Sequence, residues 1–127
     1  MVLDPDLQEI RDSPCNTGSP VDDLLVEFSE LKSQLRDFPA NWFEKTGRLD
    51  PGSEAVALRK TRILESLWTT AERLRAVTDL EQKKRTDIIV VTHEGIVLEL
   101  VPNGNIPPES FKTFTLTKSA TGKILLQ

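Results

Sequence analysis

The run Thr86-Asp87-Ile88-Ile89-Val90-Val91-Thr92-His93-Glu94-Gly95 constrains what this chain can fold into more than any other stretch. Residues 88–91 are all β-branched, the pattern of a strand buried on both faces. A polar exit follows through Thr92 and His93, the single histidine of the chain. After Gly95 the apolar residues Ile96, Val97, Leu98 and Leu100 resume. The stretch therefore reads as strand, tight turn and short helix. In open α/β sheets, ligands sit beyond the carboxyl ends of strands, often against a helix N-terminus whose free N–H groups attract anions. His93 lies at that place, either as part of such a site or simply as the polar residue that ends a strand.

At 127 residues the chain is long enough for one domain with a modest core, and we assign residues 1–127 to a single domain. A hydrophobic content of 38% beside 28% charged residues is that of a globular protein rather than a disordered one. The net charge of −4, without a basic stripe, argues against a nucleic-acid partner. One cysteine, Cys15, excludes an internal disulfide and fits a reducing, cytoplasmic setting; we read it as structural. No apolar run approaches the ~20 residues of a membrane span, so no membrane partner is expected. The N-terminus has no signal-peptide pattern.

Residues 1–20 are expected to be irregular, broken by Pro5, Pro14, Gly18 and Pro20. A first helix is predicted from Ser19 as cap and Pro20 as first helical residue, with Asp22 and Asp23 favouring the positive end of its dipole. Its apolar stripe runs through Val21, Leu24, Leu25, Phe28, Leu31 and Leu35. The loop 37–52 gathers Phe38, Trp42 and Phe43, either a wall for stacking a ligand or a hydrophobic plug. The longest helix is predicted from Ser53 and weakens near residues 77–79. Its stripe is Val56, Ile63, Leu64, Leu67, Ala71 and Leu74, extended by Trp68. Arg59, Lys60, Arg62, Glu65, Glu72, Arg73 and Arg75 are expected mostly outside that stripe. The charged run 81–85 reads as a solvated connector. A loop containing Pro102, Asn103, Gly104, Pro107 and Pro108 follows residue 100. A terminal hairpin is predicted from strands at 111–117 and 123–126 around the turn Ser119-Ala120-Thr121-Gly122.

Two motifs carry a family resemblance. Val-Val-Thr-His-x-Gly, residues 90–95, resembles the second-histidine motif of the histidine phosphatase superfamily. Leu7-Gln8-Glu9 followed by Pro14-Cys15-Asn16-Thr17-Gly18-Ser19 resembles the fungal phosphoglycerate-mutase-like branch, and the order and separation of the motifs match. The resemblance covers residues 3–100. It implies an α/β fold, a phosphoglycerate-mutase-like three-layer sandwich, here truncated at the N-terminus and lacking the first central strand. It implies phosphomonoester hydrolysis or phosphoryl transfer through a phosphohistidine, on a small phosphorylated molecule, with no metal and no organic cofactor. By resemblance Glu9 is the proton donor, His93 the phosphoryl-binding histidine, and Gly95 allows close approach of the phosphate to the backbone. Glu94 stands where a small residue is common, and its carboxylate repels an anion unless it points away.

The nucleophile is missing. That chemistry starts from an Arg-His-Gly histidine, and this sequence has neither that tripeptide nor a second histidine. The expectation is therefore a truncated or degenerate relative, inactive as it stands. A non-catalytic phosphate-binding or protein-interaction module, or an unrelated small α/β domain, are the alternatives. The helix stripes have few strands to cover, so marginal stability and self-association through exposed apolar surface are expected.

Overall fold

The computed structural model describes residues 1–77, 87–101, 106–107 and 109–127. Among these, the α-helices are α1 (Val21–Glu27), α2 (Lys32–Leu35), α3 (Ser53–Ala76) and α4 (Glu94–Leu100), and the strands are β1 (Leu116–Lys118) and β2 (Ile124–Leu126). Short 3-10 turns at Pro5–Leu7, Pro14–Asn16, Ser29–Leu31 and Gly47–Leu49 join them. The fold is thus mixed, with helix predominating over a small two-stranded sheet. Among the described residues no helix is long and apolar enough to cross a membrane.

The core is built on α3. Its 24 residues begin at Ser53 as the sequence predicts, with Glu54 in the first turn and Arg73 and Arg75 in the last, charges that suit the helix dipole at both ends. Ile63 and Leu64 meet Ile96 and Leu100 of α4 in a small core. Leu7, Ile10, Leu67, Val101, Leu116, Ile124 and Leu126 pack against it. The hairpin closes one side, with Leu116 opposite Leu126, Thr117 opposite Leu125 and Lys118 opposite Ile124. Gly122 makes its turn possible: φ is +83°, a conformation that side chains with a Cβ rarely adopt, and its N–H donates to the Ser119 carbonyl at 2.9 Å. Trp68 ties the hairpin to the helix, with the cations of Lys118 and Arg75 5.3 and 5.6 Å from its ring centroid.

Several expectations are corrected here. Residues 88–91 form no strand. A strand needs a neighbour to share its hydrogen-bond ladder, and the strands among the described residues pair only with each other. Instead of being buried on both faces, Ile89 and Val91 are 89% and 86% exposed. The predicted first helix is broken. Pro20 is the N-cap residue of α1 rather than its first helical residue, Ser19 makes no capping bond, and the helix stops at Phe28 (φ −125°, ψ 62°). Of the expected stripe only Leu35 is buried, and without a surface to cover the stripe adds little to a short, marginal helix. Strand β1 begins at Leu116, later than predicted, although Thr115 still exchanges both backbone bonds with Gln127 at 2.7 and 3.0 Å. Cys15 is exposed and touches only Ser13 Oγ, at 3.4 Å, so it supports no core. Helix α3 ends at Ala76, with Val77 extended (φ −66°, ψ 128°), at the start of the stretch where the sequence predicts it to weaken; the connector 81–85 and most of the loop at 102–108 lie outside the described residues.

The largest correction is Arg59. It lies on the buried stripe of α3, between Val56 and Ile63, with no exposed surface. Its Nε donates to the Asp6 carbonyl at 2.6 Å and its Nη2 to the Gln8 carbonyl, while Nη1 finds no acceptor among the described residues. The N-terminal segment has no ladder of its own, and this guanidinium satisfies its carbonyls. Around it, the Asp6 carboxylate is held by Arg62 at 2.9 and 3.0 Å and by Arg48 at 2.5 Å. Lys45 Nζ donates to Gln8 Oε1 at 2.7 Å and to the Glu9 carbonyl.

Replacing Arg59 with methionine, of similar length but without donors, strands two buried carbonyls. Arg59→Met should lower unfolding stability by about 3 kcal/mol, read from urea titration, whereas Arg73→Ala on the exposed face should change it by about 0.5 kcal/mol or less. A pH dependence follows from Asp6. Burial raises its carboxyl, but hydrogen bonds and charge from Arg62 and Arg48 outweigh this and hold it below its ordinary value of 3.8. A depressed folded value means that stability is fully present above 3.8 and is lost as pH falls through the folded value. Stability should therefore fall in that acid range, and Asp6→Asn should flatten the fall while lowering stability at neutral pH, as followed by thermal melts at stepped pH.

Candidate functional site

Glu9 and residues 93–95 come from opposite ends of the chain and meet at the start of α4. Thr92 Oγ1 donates to the Leu7 carbonyl at 2.7 Å and fixes the approach of one segment to the other. Glu9 is 5% exposed. Its Oε1 accepts from the N–H groups of Ile10 and Arg11 at 2.7 and 3.2 Å, and its Oε2 accepts from the Gly95 N–H at 3.4 Å. His93 is the N-cap residue of α4, with extended backbone (φ −106°, ψ 160°), an exposed side chain and no capping bond. The structure thus brings together Glu9, His93 and Gly95, the residues singled out by sequence.

Gly95 has a physical reason to be glycine. A Cβ there would lie 2.1 Å from Glu9 Oε1 and 3.2 Å from its Cδ, so the carboxylate occupies the space a side chain would need. The same contact decides the electrostatics. Burial raises the Glu9 carboxyl, but the N–H groups of Arg11, Ile10 and Gly95 and the field of His93 outweigh it and hold the group below its ordinary 4.5. The group is therefore kept as a carboxylate. In this arrangement the two carboxylate oxygens accept from three backbone N–H groups, which favours the charged form at the start of α4.

Glu94 does not aim at this spot. Its carboxylate pairs with Arg11 at 3.3 Å in an exposed contact, of the kind worth about 0–1 kcal/mol. Arg11 is therefore engaged at the rim. Behind Glu9, Lys45 is buried; burial pushes its ammonium down, and the neighbouring Arg59 pushes it further in the same direction against the pull of Glu9 and Asp12. Two surface depressions, about 480 Å³ beside Gly52 and Leu58 and about 310 Å³ between Leu64 and Ile124, do not take in Glu9, His93 or Gly95. Among the described residues no three His, Cys, Asp or Glu side chains gather as metal ligands do.

Trp42 belongs to the loop's attachment. Its ring lies against Gly18, where an added Cβ would be 2.3 Å from Cη2, its Nε1 donates to the Ser19 carbonyl at 2.9 Å, and Phe38 meets it edge-on at 5.4 Å. Its carbonyl accepts from Gln8 Nε2 at 2.5 Å. Of the two readings of this aromatic loop, the plug is the one the packing supports. Sequence reasoning missed Asp6, Gln8, Lys45 and Arg59 as the framework of the site. For Arg59 a signal existed, since it falls at helical spacing within the apolar stripe; for Lys45, flanked by loop residues, none did. No protein-family model, curated protein or solved structure matches the chain.

Gly95→Ala should displace the Glu9 carboxylate and break its bond to the α4 N–H. The expected result is a Glu9 pKa rising towards 4.5, read by carboxyl ¹³C NMR titration, with the fold retained because the far end of a flexible side chain can move aside.

Proposed function

We propose that the chain is a degenerate or partial member of the phosphoglycerate-mutase-like branch of the histidine phosphatase superfamily, with α3 and α4 as part of its three-layer α/β sandwich, and that it does not itself catalyse phosphoryl transfer. One observation supports this reading above the others. The Glu9 carboxylate reaches the Gly95 N–H across 86 sequence positions, beside His93, so the two motifs that carry the resemblance converge on one point. A chance pairing of two short motifs has no reason to bring them together.

The chemistry of the point argues against phosphoryl transfer by this chain. Covalent phosphoryl transfer needs an imidazole to attack phosphorus, and the single imidazole stands where the family binds the phosphoryl oxygens. The neighbouring carboxylate stays ionised and takes up an N–H that an anionic substrate would use. A small phosphorylated molecule would have to displace Glu9, and its binding is accordingly weak. With p-nitrophenyl phosphate the chain should show no turnover above a His93→Ala control. Trapping of a phosphohistidine, lost in His93→Ala, would overturn the reading. A second reading, a protein-interaction module, is favoured by the exposure of Ile89 and Val91, large apolar side chains set close together on the surface.

A further inference from the structure

Residues 87–93 alternate in exposure. Asp87, Ile89, Val91 and His93 face solvent, with Ile89 at 89% and Val91 at 86%, while Ile88 and Thr92 are half-buried and Val90 is 37% exposed. A period of two is the signature of an extended segment lying on the body of the protein with one face outward. Among the described residues, no backbone hydrogen bond engages residues 87–92; the segment's contact with the N-terminus is through the Thr92 hydroxyl. It is an apolar, β-branched segment with an open edge, and such edges recruit another strand.

We propose that this segment is a homodimerisation edge, on which two copies of the chain pair antiparallel about a two-fold axis through Val90. The pleat and the charges select this register. Residues opposite one another in an antiparallel pair lie on the same face, so an outward residue must meet an outward residue. Centring on Val90 places Ile89 against the second copy's Val91 at two symmetry-related positions, and Ile88 against Thr92. It also places Asp87 against the second copy's His93 at both ends, a carboxylate beside an imidazole. Shifting the pairing by one residue sets Ile89, at 89% exposure, against the less exposed Val90, at 37%, on the opposite face, and undoes this match. The same patch, apolar in the middle and complementary at its ends, therefore fits itself, as a two-fold interface requires. The contact is short, so the dimer is a weak, reversible one.

The test is sedimentation of the 127-residue chain over a range of concentrations. The wild type should pass reversibly from monomer to dimer. Ile89→Asp alone, or Val91→Lys alone, should weaken dimerisation by about tenfold. The double variant Ile89→Asp/Val91→Lys should restore it, because only pairing centred on Val90 sets each new carboxylate against the other copy's new ammonium. These side chains are exposed, so folding is spared, and circular dichroism of each variant checks that. In a Cys15→Ser background, Val90→Cys should cross-link between copies faster than Ile89→Cys. A wild type that stays monomeric, a double variant no better than the singles, or faster cross-linking through Ile89→Cys would each overturn the proposal.

Discussion

The guanidinium of Arg59 holds this structure together. A chain whose first twenty residues make two single 3-10 turns and no strand has to find partners elsewhere for most of that backbone, and burial without them costs about 1–3 kcal/mol per group. Arg59 supplies donors to two of those carbonyls from the second turn of α3. Asp6 follows because its backbone is held there, and its carboxylate then draws in Arg62 from the next turn of the helix and Arg48 from the loop before it. Lys45 completes the bracket from the same loop. The N-terminal segment is thus docked mainly by charge and hydrogen bonds, with Leu7 and Ile10 alone of its side chains packed, alongside the hairpin, against the buried cluster of α3 and α4.

That arrangement bears directly on Glu9. With its carbonyl fixed by Lys45 and its neighbour Gln8 fixed by Arg59, the Glu9 side chain has one direction to take, towards the start of α4. The carboxylate does for α4 what a capping side chain would do, since His93 makes no cap of its own. Its negative charge suits the positive end of the helix. A group serving the structure in this way is poorly placed to serve as a mobile proton source. The same bonds that locate it so well also keep it ionised.

Local signals in the sequence proved readable where they needed no distant partner. The start of α3 at Ser53, the acidic first turn, and the Ser119-to-Gly122 turn of the hairpin all rest on chemistry within a few residues. The run at 88–91 did not, because a strand is a property of two segments and β-branched composition reports only one of them. Arg59 was misread for a related reason. Charge was taken as a sign of exposure, whereas a guanidinium surrounded by carbonyls is a tolerable core residue. For the site, Glu9, His93 and Gly95 were legible only through the resemblance of two motifs; the contact of Glu9 with Gly95 was not, since no spacing or periodicity in the chain itself points across 86 residues.

Those long spans say something about the order in which the molecule is made. During synthesis the segment holding Asp6 and Gln8 leaves the ribosome ahead of α3, yet its carbonyls wait 53 and 51 residues for Arg59, and the Glu9 carboxylate waits 86 for the Gly95 N–H. Contacts of such separation form only after the intervening chain has been closed into a loop, at an entropic cost that local helices and hairpins do not face. Helix α3 can therefore take shape from neighbouring residues before the segment that looks most firmly anchored in the finished protein settles on it. Until then its acceptors are served by water, and the nascent chain is, in effect, a helix in search of its own beginning.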